Sequence, residues 1–267
     1  MSRINEKFTE LKRKNEKALI AYIMMGFPNE KATITTVRGL VKGGADIIEL
    51  GFPFSDPLAD GPVIQNASTV SLEKGTNISK FFNLVKKIRK ETDIPLVLMT
   101  YTNILYHRGY EKFISEAKSA GIDGFILPDM SIEESKEYTK SAENKADTIF
   151  LISPNTSKTR IEKIAKTSTG FLYLVAVFGT TGVKTSIKNY TLKAIKNVKK
   201  QTKSKIPIGI GFGVSTPEDV KKYIKAGADA VIVGSAYLKL IERTKQQDLE
   251  SKITSFTKSL KKQTISQ

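Results

Sequence analysis

Short apolar runs rich in β-branched residues alternate along the chain with longer stretches in which apolar positions recur at spacings of three and four, the pattern of βα units. Eight such runs stand out, at residues 18–25 (ALIAYIMM), 46–51 (DIIELG), 95–101 (PLVLMTY), 123–129 (DGFILPD), 147–153 (DTIFLIS), 171–177 (FLYLVAV), 207–211 (PIGIG) and 229–235 (DAVIVGS). Between them lie amphipathic segments such as Tyr110, Phe113, Ile114 and Ala117, which present one apolar stripe to a sheet. Three strands are introduced by nearly the same text, KGGADIIEL, SAGIDGFIL and KAGADAVIV, each with Gly where a helix must stop and reverse into a buried strand. Alternation of this kind, with no shift in composition, predicts an α/β fold: a single (β/α)8 TIM barrel over residues 1–267, with an extra N-terminal helix. An open doubly wound sheet is the alternative. Its nucleotide fingerprint belongs after the first strand, where MMGFPNEK offers only Gly26.

Length and composition fit that reading. A chain of 267 residues with 40% hydrophobic content can bury one large barrel core. Forty-three Lys and Arg against 27 Asp and Glu give a net charge of +16, which favours anionic ligands. The charge is spread, and its densest run, Lys196 to Lys205, lacks interleaved aromatics and reads as a solvated helix face rather than a nucleic-acid site. With no cysteine and the single His107, neither thiolate chemistry nor a multi-histidine metal site is expected. No stretch reads as a signal peptide or membrane span, so the cytoplasm is the default location.

In a barrel of this kind chemistry gathers at the C-terminal strand ends, and the unusual residues fall there. Glu49 closes the second run and Asp60 follows in its loop. The apolar strand end should raise the pKa of Glu49 relative to that of Asp60 in its polar turn, a division suited to proton transfer by the first and fixed negative charge on the second. For Asp60 an ordinary Asp-Gly turn is an equal alternative. GFGVSTPEDV supplies Gly211 and Gly213 after the seventh run, and Gly234-Ser235 opens a helix after the eighth. Together they read as a phosphate cradle of backbone N–H groups and a helix dipole. A polar, Gly-punctuated stretch at 177–189 reads as a lid, with a plain surface loop as the alternative.

The stretch ELGFPFSDPLADGPVIQNAS resembles the signature of the tryptophan synthase alpha chain, and MTYTNILYHRG, ILPDMSIEES, ISPNTS, GTTGV, GFGVSTPEDV and IVGSA follow in that family's order over nearly the whole chain. The resemblance implies a cofactor-free barrel lyase that splits indole-3-glycerol phosphate into indole and glyceraldehyde 3-phosphate. Indole then passes to a pyridoxal phosphate-dependent β chain, in an α2β2 assembly with no role for nucleic acid or membrane. It implies Glu49 as the acid/base and Asp60 as the acceptor of the indole N–H. Phosphate would rest on Gly182, Gly211, Phe212, Gly213, Gly234 and Ser235, and Tyr22, Leu127, Ile152 and Tyr173 would wall the indole pocket. Thr181 would reach Asp60 when the lid closes. Plain barrel core remains a rival reading for Leu127 and Ile152. The chain departs from the family at Ala176 and Val177, where many members have Ser-Arg, at Tyr22, commonly Phe, and in its surplus of lysines. Two rivals stand beside this reading. Another phosphate-binding barrel enzyme is one, though indoleglycerol-phosphate synthase would need a strand-end lysine that is absent here. A catalytically silent basic barrel serving as a scaffold or binding nucleic acid is the other.

Overall fold

The structure, a computed structural model, describes residues 1–175 and 189–265. Its strands are β1 (Ala18–Met24), β2 (Ile47–Gly51), β3 (Leu96–Met99), β4 (Gly124–Ile126), β5 (Asp147–Ile149), β6 (Leu151–Ile152), β7 (Leu172–Val175), β8 (Ile208–Gly211) and β9 (Ala230–Val233). The first half of the chain adds helices α1 (Arg3–Arg13), α2 (Glu30–Gly43), α3 (Pro62–Glu73), α4 (Ile78–Arg89), α5 (Thr102–Arg108) and α6 (Tyr110–Ala120). The second adds α7 (Lys136–Ala142), α8 (Lys158–Thr167), α9 (Asn189–Thr202), α10 (Pro217–Lys225), α11 (Ser235–Arg243) and α12 (Gln246–Lys261).

All strand pairs are parallel, in the order β5-β4-β3-β2-β1-β9-β8-β7-β6. The strand segments number nine rather than eight because the fifth apolar run is parted at Phe150, β5 pairing with β4 and β6 with β7. Tyr173 N–H donates to the Phe150 carbonyl at 3.0 Å, so the parted run still joins both neighbours and the barrel closes. Each strand is buried from end to end or nearly so, as expected where helices cover the outside and side chains fill the inside.

The thrice-repeated Gly-x-Asp text has a single structural meaning. Gly44 and Gly121 cap α2 and α6 in the left-handed region, φ 89° and 114°, and Gly227 stands at φ 103° just past α10. Side chains there would be strained, which is why glycine ends these helices. Two residues on, each Asp accepts a backbone N–H from the first turn of the neighbouring strand: Asp46 from Leu19 at 2.7 Å, Asp123 from Leu96 at 2.9 Å and Asp229 from Ile208 at 3.1 Å. A cation completes each carboxylate, Lys261 on Asp46, Arg89 and Arg3 on Asp123, and Lys199 with Lys17 on Asp229. The base of the barrel is thereby pinned in register.

Helix α1 covers that base. Ser2 caps it, Ile4 and Leu11 are buried, Phe8 packs on Phe171 with ring centroids 5.9 Å apart, and Arg3 reaches Asp123 at 2.9 Å. The expected N-terminal helix is present and serves as a plug. At the other side of the chain, α12 lies so close on α2 that a Cβ at Gly39 or Gly43 would strike Ile253 or Thr257.

Asp123 ties the Leu96 N–H, Arg89 and Arg3 together, and Arg89 also donates to the Thr92, Ile94 and Gly121 carbonyls. Asp123→Ala should lower the unfolding free energy by about 2–4 kcal/mol, the scale for a buried charge and amide stripped of their partner. Urea unfolding measures it, and a loss below about 0.5 kcal/mol would show that the pin contributes nothing.

Candidate functional site

Glu49 stands on β2 in register with Tyr22 of β1 and Val97 of β3, so the alternation of the strand turns it inward near the C-terminal end of the barrel. It is 1% exposed, and both carboxylate oxygens are buried without a hydrogen-bond partner among the described residues. Burial therefore pushes its pKa from the ordinary 4.5 to about 8, with the nearby charge of Asp60 adding to the rise. An isolated carboxylate in such a place is costly, and the cost is avoided by keeping its proton at neutral pH.

Asp60 comes from the loop after β2, and the chemistry of that loop fixes it. Asp60 N–H donates to Pro57 O at 3.0 Å, the Gln65 amide donates to Asp60 O at 2.8 Å, and Gly61 with Pro62 then starts α3. Ser68 ties the other limb, accepting from Phe54 N–H and donating to Phe54 O, both at 2.8 Å. The ring of Phe54 stacks on Tyr101 at 5.0 Å. Tyr101 donates its hydroxyl to Asp60 Oδ2 at 3.0 Å and accepts from Ala59 N–H at 3.0 Å, while Oδ1 is buried without a partner among the described residues. Burial raises Asp60 to about 6, and the Tyr101 hydrogen bond pulls in the opposite direction. Burial thus raises Glu49 further than Asp60, so that of the two Glu49 holds its proton more firmly.

Tyr101 is a site residue that the sequence reading missed. Its signal was a tyrosine just past the end of an apolar run, in MTYTNI, at the level where the loops of the mouth begin.

Tyr22 and Tyr173 complete the interior. Each is buried, and burial together with the two carboxylates holds both phenols protonated, far above their ordinary range. The Tyr22 hydroxyl occupies the space that a Cβ on Gly51 would need, and its ring lies 3.2 Å from where a Cβ on Gly234 would stand. One side chain therefore spans from the end of β2 to the start of α11. Leu127, just past β4, and Ile152, at the end of β6, are buried in the hydrophobic core.

The glycines of the cradle divide by role. A Cβ at Gly211 would collide with the Tyr173 hydroxyl, so this glycine makes room for a tyrosine at the end of β8. Phe212 and Gly213 follow in two successive left-handed conformations, φ 69° and 74°, and Phe212 meets Tyr173 edge-on at 6.0 Å. Consecutive residues of this kind can turn N–H groups toward one point. Helix α10 is closed by its own capping box, with Asp219 N–H on Thr216 Oγ1 at 3.2 Å and Thr216 N–H on Asp219 at 3.0 Å. Helix α11, by contrast, begins at Ser235 with Gly234 as its cap and, among the described residues, no side-chain cap hydrogen bond. It is this helix start that can receive an anion. Ala176, Val177, Thr181, Gly182 and the proposed lid at 177–189 lie outside the described residues, apart from the backbone of Asn189 in α9. His107 is exposed in the last turn of α5, and no group of metal-ligating side chains occurs among the described residues.

A profile of the tryptophan synthase alpha chain family matches residues 8–265. The chain belongs to that family. The tryptophan synthase alpha chain of Methanosarcina barkeri is 45% identical over 97% of this chain and 96% of its own length. Among solved structures, tryptophan synthase from Mycobacterium tuberculosis matches with a TM-score of 0.89 and 30% identity, covering 100% of this chain and 99% of that one. The structure of the tryptophan synthase α2β2 complex from Pyrococcus furiosus matches at 0.85 and 36%, over 92% and 98%. The (β/α)8 barrel expected from the sequence is the architecture these alpha chains share.

The buried Glu49 gives this alpha chain a measurable stability signature. Its folded pKa lies above the ordinary value, so the folded state binds the proton more tightly than the unfolded chain, and stability is lost as pH climbs from about 4.5 to about 8. Glu49→Gln removes that loss. The variant should gain about 2–4 kcal/mol over the parent above pH 8 and close to nothing near pH 4.5. Thermal unfolding across that range checks it, and a gain independent of pH would refute the shifted pKa.

Proposed function

We propose that this chain, as the alpha subunit of tryptophan synthase, performs the retro-aldol cleavage of indole-3-glycerol phosphate to indole and glyceraldehyde 3-phosphate. The observation that carries the site assignment is the pair of buried carboxylates at one barrel mouth, Glu49 without a partner among the described residues and Asp60 held by Tyr101, beside an open helix start suited to phosphate.

The chemistry follows from that division. Indole is a poor leaving group until its ring carries positive charge. Glu49 gives its proton to indole C3 while ionised Asp60 takes the hydrogen bond of the ring N–H and stabilises the cation. The Glu49 carboxylate then takes the proton of the glycerol hydroxyl next to the ring. The C–C bond breaks as the carbonyl of glyceraldehyde 3-phosphate forms, and its electron pair returns to the ring to give neutral indole. Glu49 ends as it began, protonated. Phe212, Gly213, Gly234 and Ser235 hold the phosphate, Tyr22 and Tyr173 flank the ring, and Tyr101 orients Asp60. The steps need no cofactor in this chain. Pyridoxal phosphate belongs to the β partner, and the cytoplasm is the compartment. Among the described residues no helix is long and apolar enough to cross a membrane.

The partner docks on the same mouth. Leu58, in the loop that bears Asp60, is 79% exposed, and Tyr106, on α5, is 70% exposed. Large apolar side chains left in water in this way suit a protein surface. The two elements are joined through the Ala59–Tyr101 bond, so docking on Leu58 can move Asp60.

Glu49→Gln and Asp60→Asn should each lower indole release by roughly 10²-fold or more. In the parent, kcat/KM should rise through about pH 6 as Asp60 ionises and fall above about pH 8 as Glu49 loses its proton. Normal turnover in either variant would remove that residue from the mechanism, and a profile flat from pH 5 to 9 would remove the division of protonation states.

Adding the β chain should raise indole release by about tenfold or more, since small shifts of a catalytic group carry large rate effects. Leu58→Ser should weaken both the complex, seen by mass, and the gain. A complex that forms without any gain would sink the coupling.

A further inference from the structure

The net charge of the chain is not distributed evenly in space. Residues 158–225 contain fifteen Lys and Arg against three Asp and Glu, a net +12 of the chain's +16. In the fold this segment supplies α8, α9 and α10, three successive helices on the outside of β6 to β8. Lys193, Lys196 and Lys200 recur along the exposed face of α9 while Ile195 and Val198 point into the core, and Lys221, Lys222 and Lys225 are exposed on α10. Among the described residues none of these six makes an ion pair, whereas Arg160 and Lys163 are held by Glu133 and Lys199 by Asp229. Among the described residues, the exposed large apolar side chains, Leu58 and Tyr106 among them, lie elsewhere.

Its position gives it a use. In a βα barrel each helix starts where its strand ends, at the mouth, so Lys193 and Lys221, each the fifth residue of its helix, lie about 6 Å below the level of the mouth. The left-handed pair Phe212-Gly213 leads into α10, and the open start of α11 is its neighbour in the ring. The charged flank and the anion-receiving loops are thus on the same side of the barrel. We infer that the α9–α10 lysines form an electrostatic funnel that concentrates a phosphate dianion at this side of the mouth, lowering KM for the phosphorylated substrate without entering the chemical steps. This rests on the function proposed above. Charges closer to a dianion than the screening length act strongly on it, which favours the effect where that length is about 30 Å, at about 10 mM ionic strength, and suppresses it where the length falls below about 8 Å.

The test uses the full chain with its β partner and a variant carrying Lys193→Gln, Lys196→Gln, Lys221→Gln and Lys222→Gln. KM for indole-3-glycerol phosphate should rise about tenfold at about 10 mM ionic strength and less than about twofold at about 300 mM, with kcat unchanged. A control with Lys112→Gln, Lys118→Gln, Lys136→Gln and Lys140→Gln removes the same charge from exposed positions on α6 and α7, by β3 to β5. It should shift KM by less than about twofold at either salt. In calorimetry, glycerol 3-phosphate should follow the KM changes and indole should not. Equal effects of the two variants would overturn the funnel in favour of net charge alone, and no effect of the first would overturn it outright. A parent chain that binds neither glycerol 3-phosphate nor substrate would fail the proposed function itself, and the funnel with it. A parent chain that cleaves the substrate, with the first variant's KM unchanged at low salt, would reject the funnel alone.

Discussion

The desolvation of Glu49 is the constraint on which the site depends. A carboxylate with both oxygens buried and unpartnered is avoided in an ordinary core, and here burial raises its pKa to about 8. What makes it useful is the contrast with Asp60, which burial raises less and which keeps one hydrogen bond, from Tyr101. Two acids of similar intrinsic strength are thus separated by environment into a donor and a charge. The tyrosines that surround them remain protonated for the same reason, so the interior offers hydroxyl groups without adding negative charge to the pair.

Keeping such a site requires stability from elsewhere, and the barrel divides the labour between its ends. At the base, the Asp46, Asp123 and Asp229 carboxylates are satisfied twice over, by a neighbouring strand amide and by a cation, and α1 seals the opening. At the mouth, among the described residues, the Glu49 and Asp60 carboxylates have no such cation or strand amide. Acids of the same type therefore have opposite effects at the two ends, strengthening the fold where paired and weakening it where left for a ligand.

Much of this was legible in the chain, for reasons that differ by element. Strand positions follow from the apolar runs because every barrel strand is buried on both faces, and the repeated Gly-x-Asp text marked the αβ turns because left-handed caps tolerate little else. Glu49 was legible because an acid ending an apolar run is costly. The parting of the fifth run at Phe150 was not, since it depends on pairing with two neighbours at once, and periodicity carries no such information. Tyr101 was missed because its role arises only when the loop after β2 folds back over the end of β3. Gly211 was grouped with the phosphate glycines by spacing; that its lack of a side chain also makes room for Tyr173 is a contact between adjacent strands, which spacing does not carry. The charge asymmetry was present in the sequence, as fifteen basic and three acidic residues within 158–225, but the total alone hid it; what the fold adds is that α8, α9 and α10 lie side by side outside the barrel.

The loop after β2 is where these separate demands converge. It must be stiff enough to hold a desolvated carboxylate, which the Pro57 carbonyl, Ser68 and Gln65 contacts provide. It must also project Leu58 into water, next to the residue whose N–H rests on Tyr101. Because the same tyrosine hydroxyl accepts from Ala59 and donates to Asp60, a displacement of the loop tip cannot leave the Asp60 hydrogen bond unchanged unless Tyr101 moves with it. Phe54 stacked on the Tyr101 ring resists that movement. One short chain of contacts thus runs from the residue beside an exposed leucine, through the Tyr101 hydroxyl, to the Asp60 carboxylate that shares the mouth with Glu49.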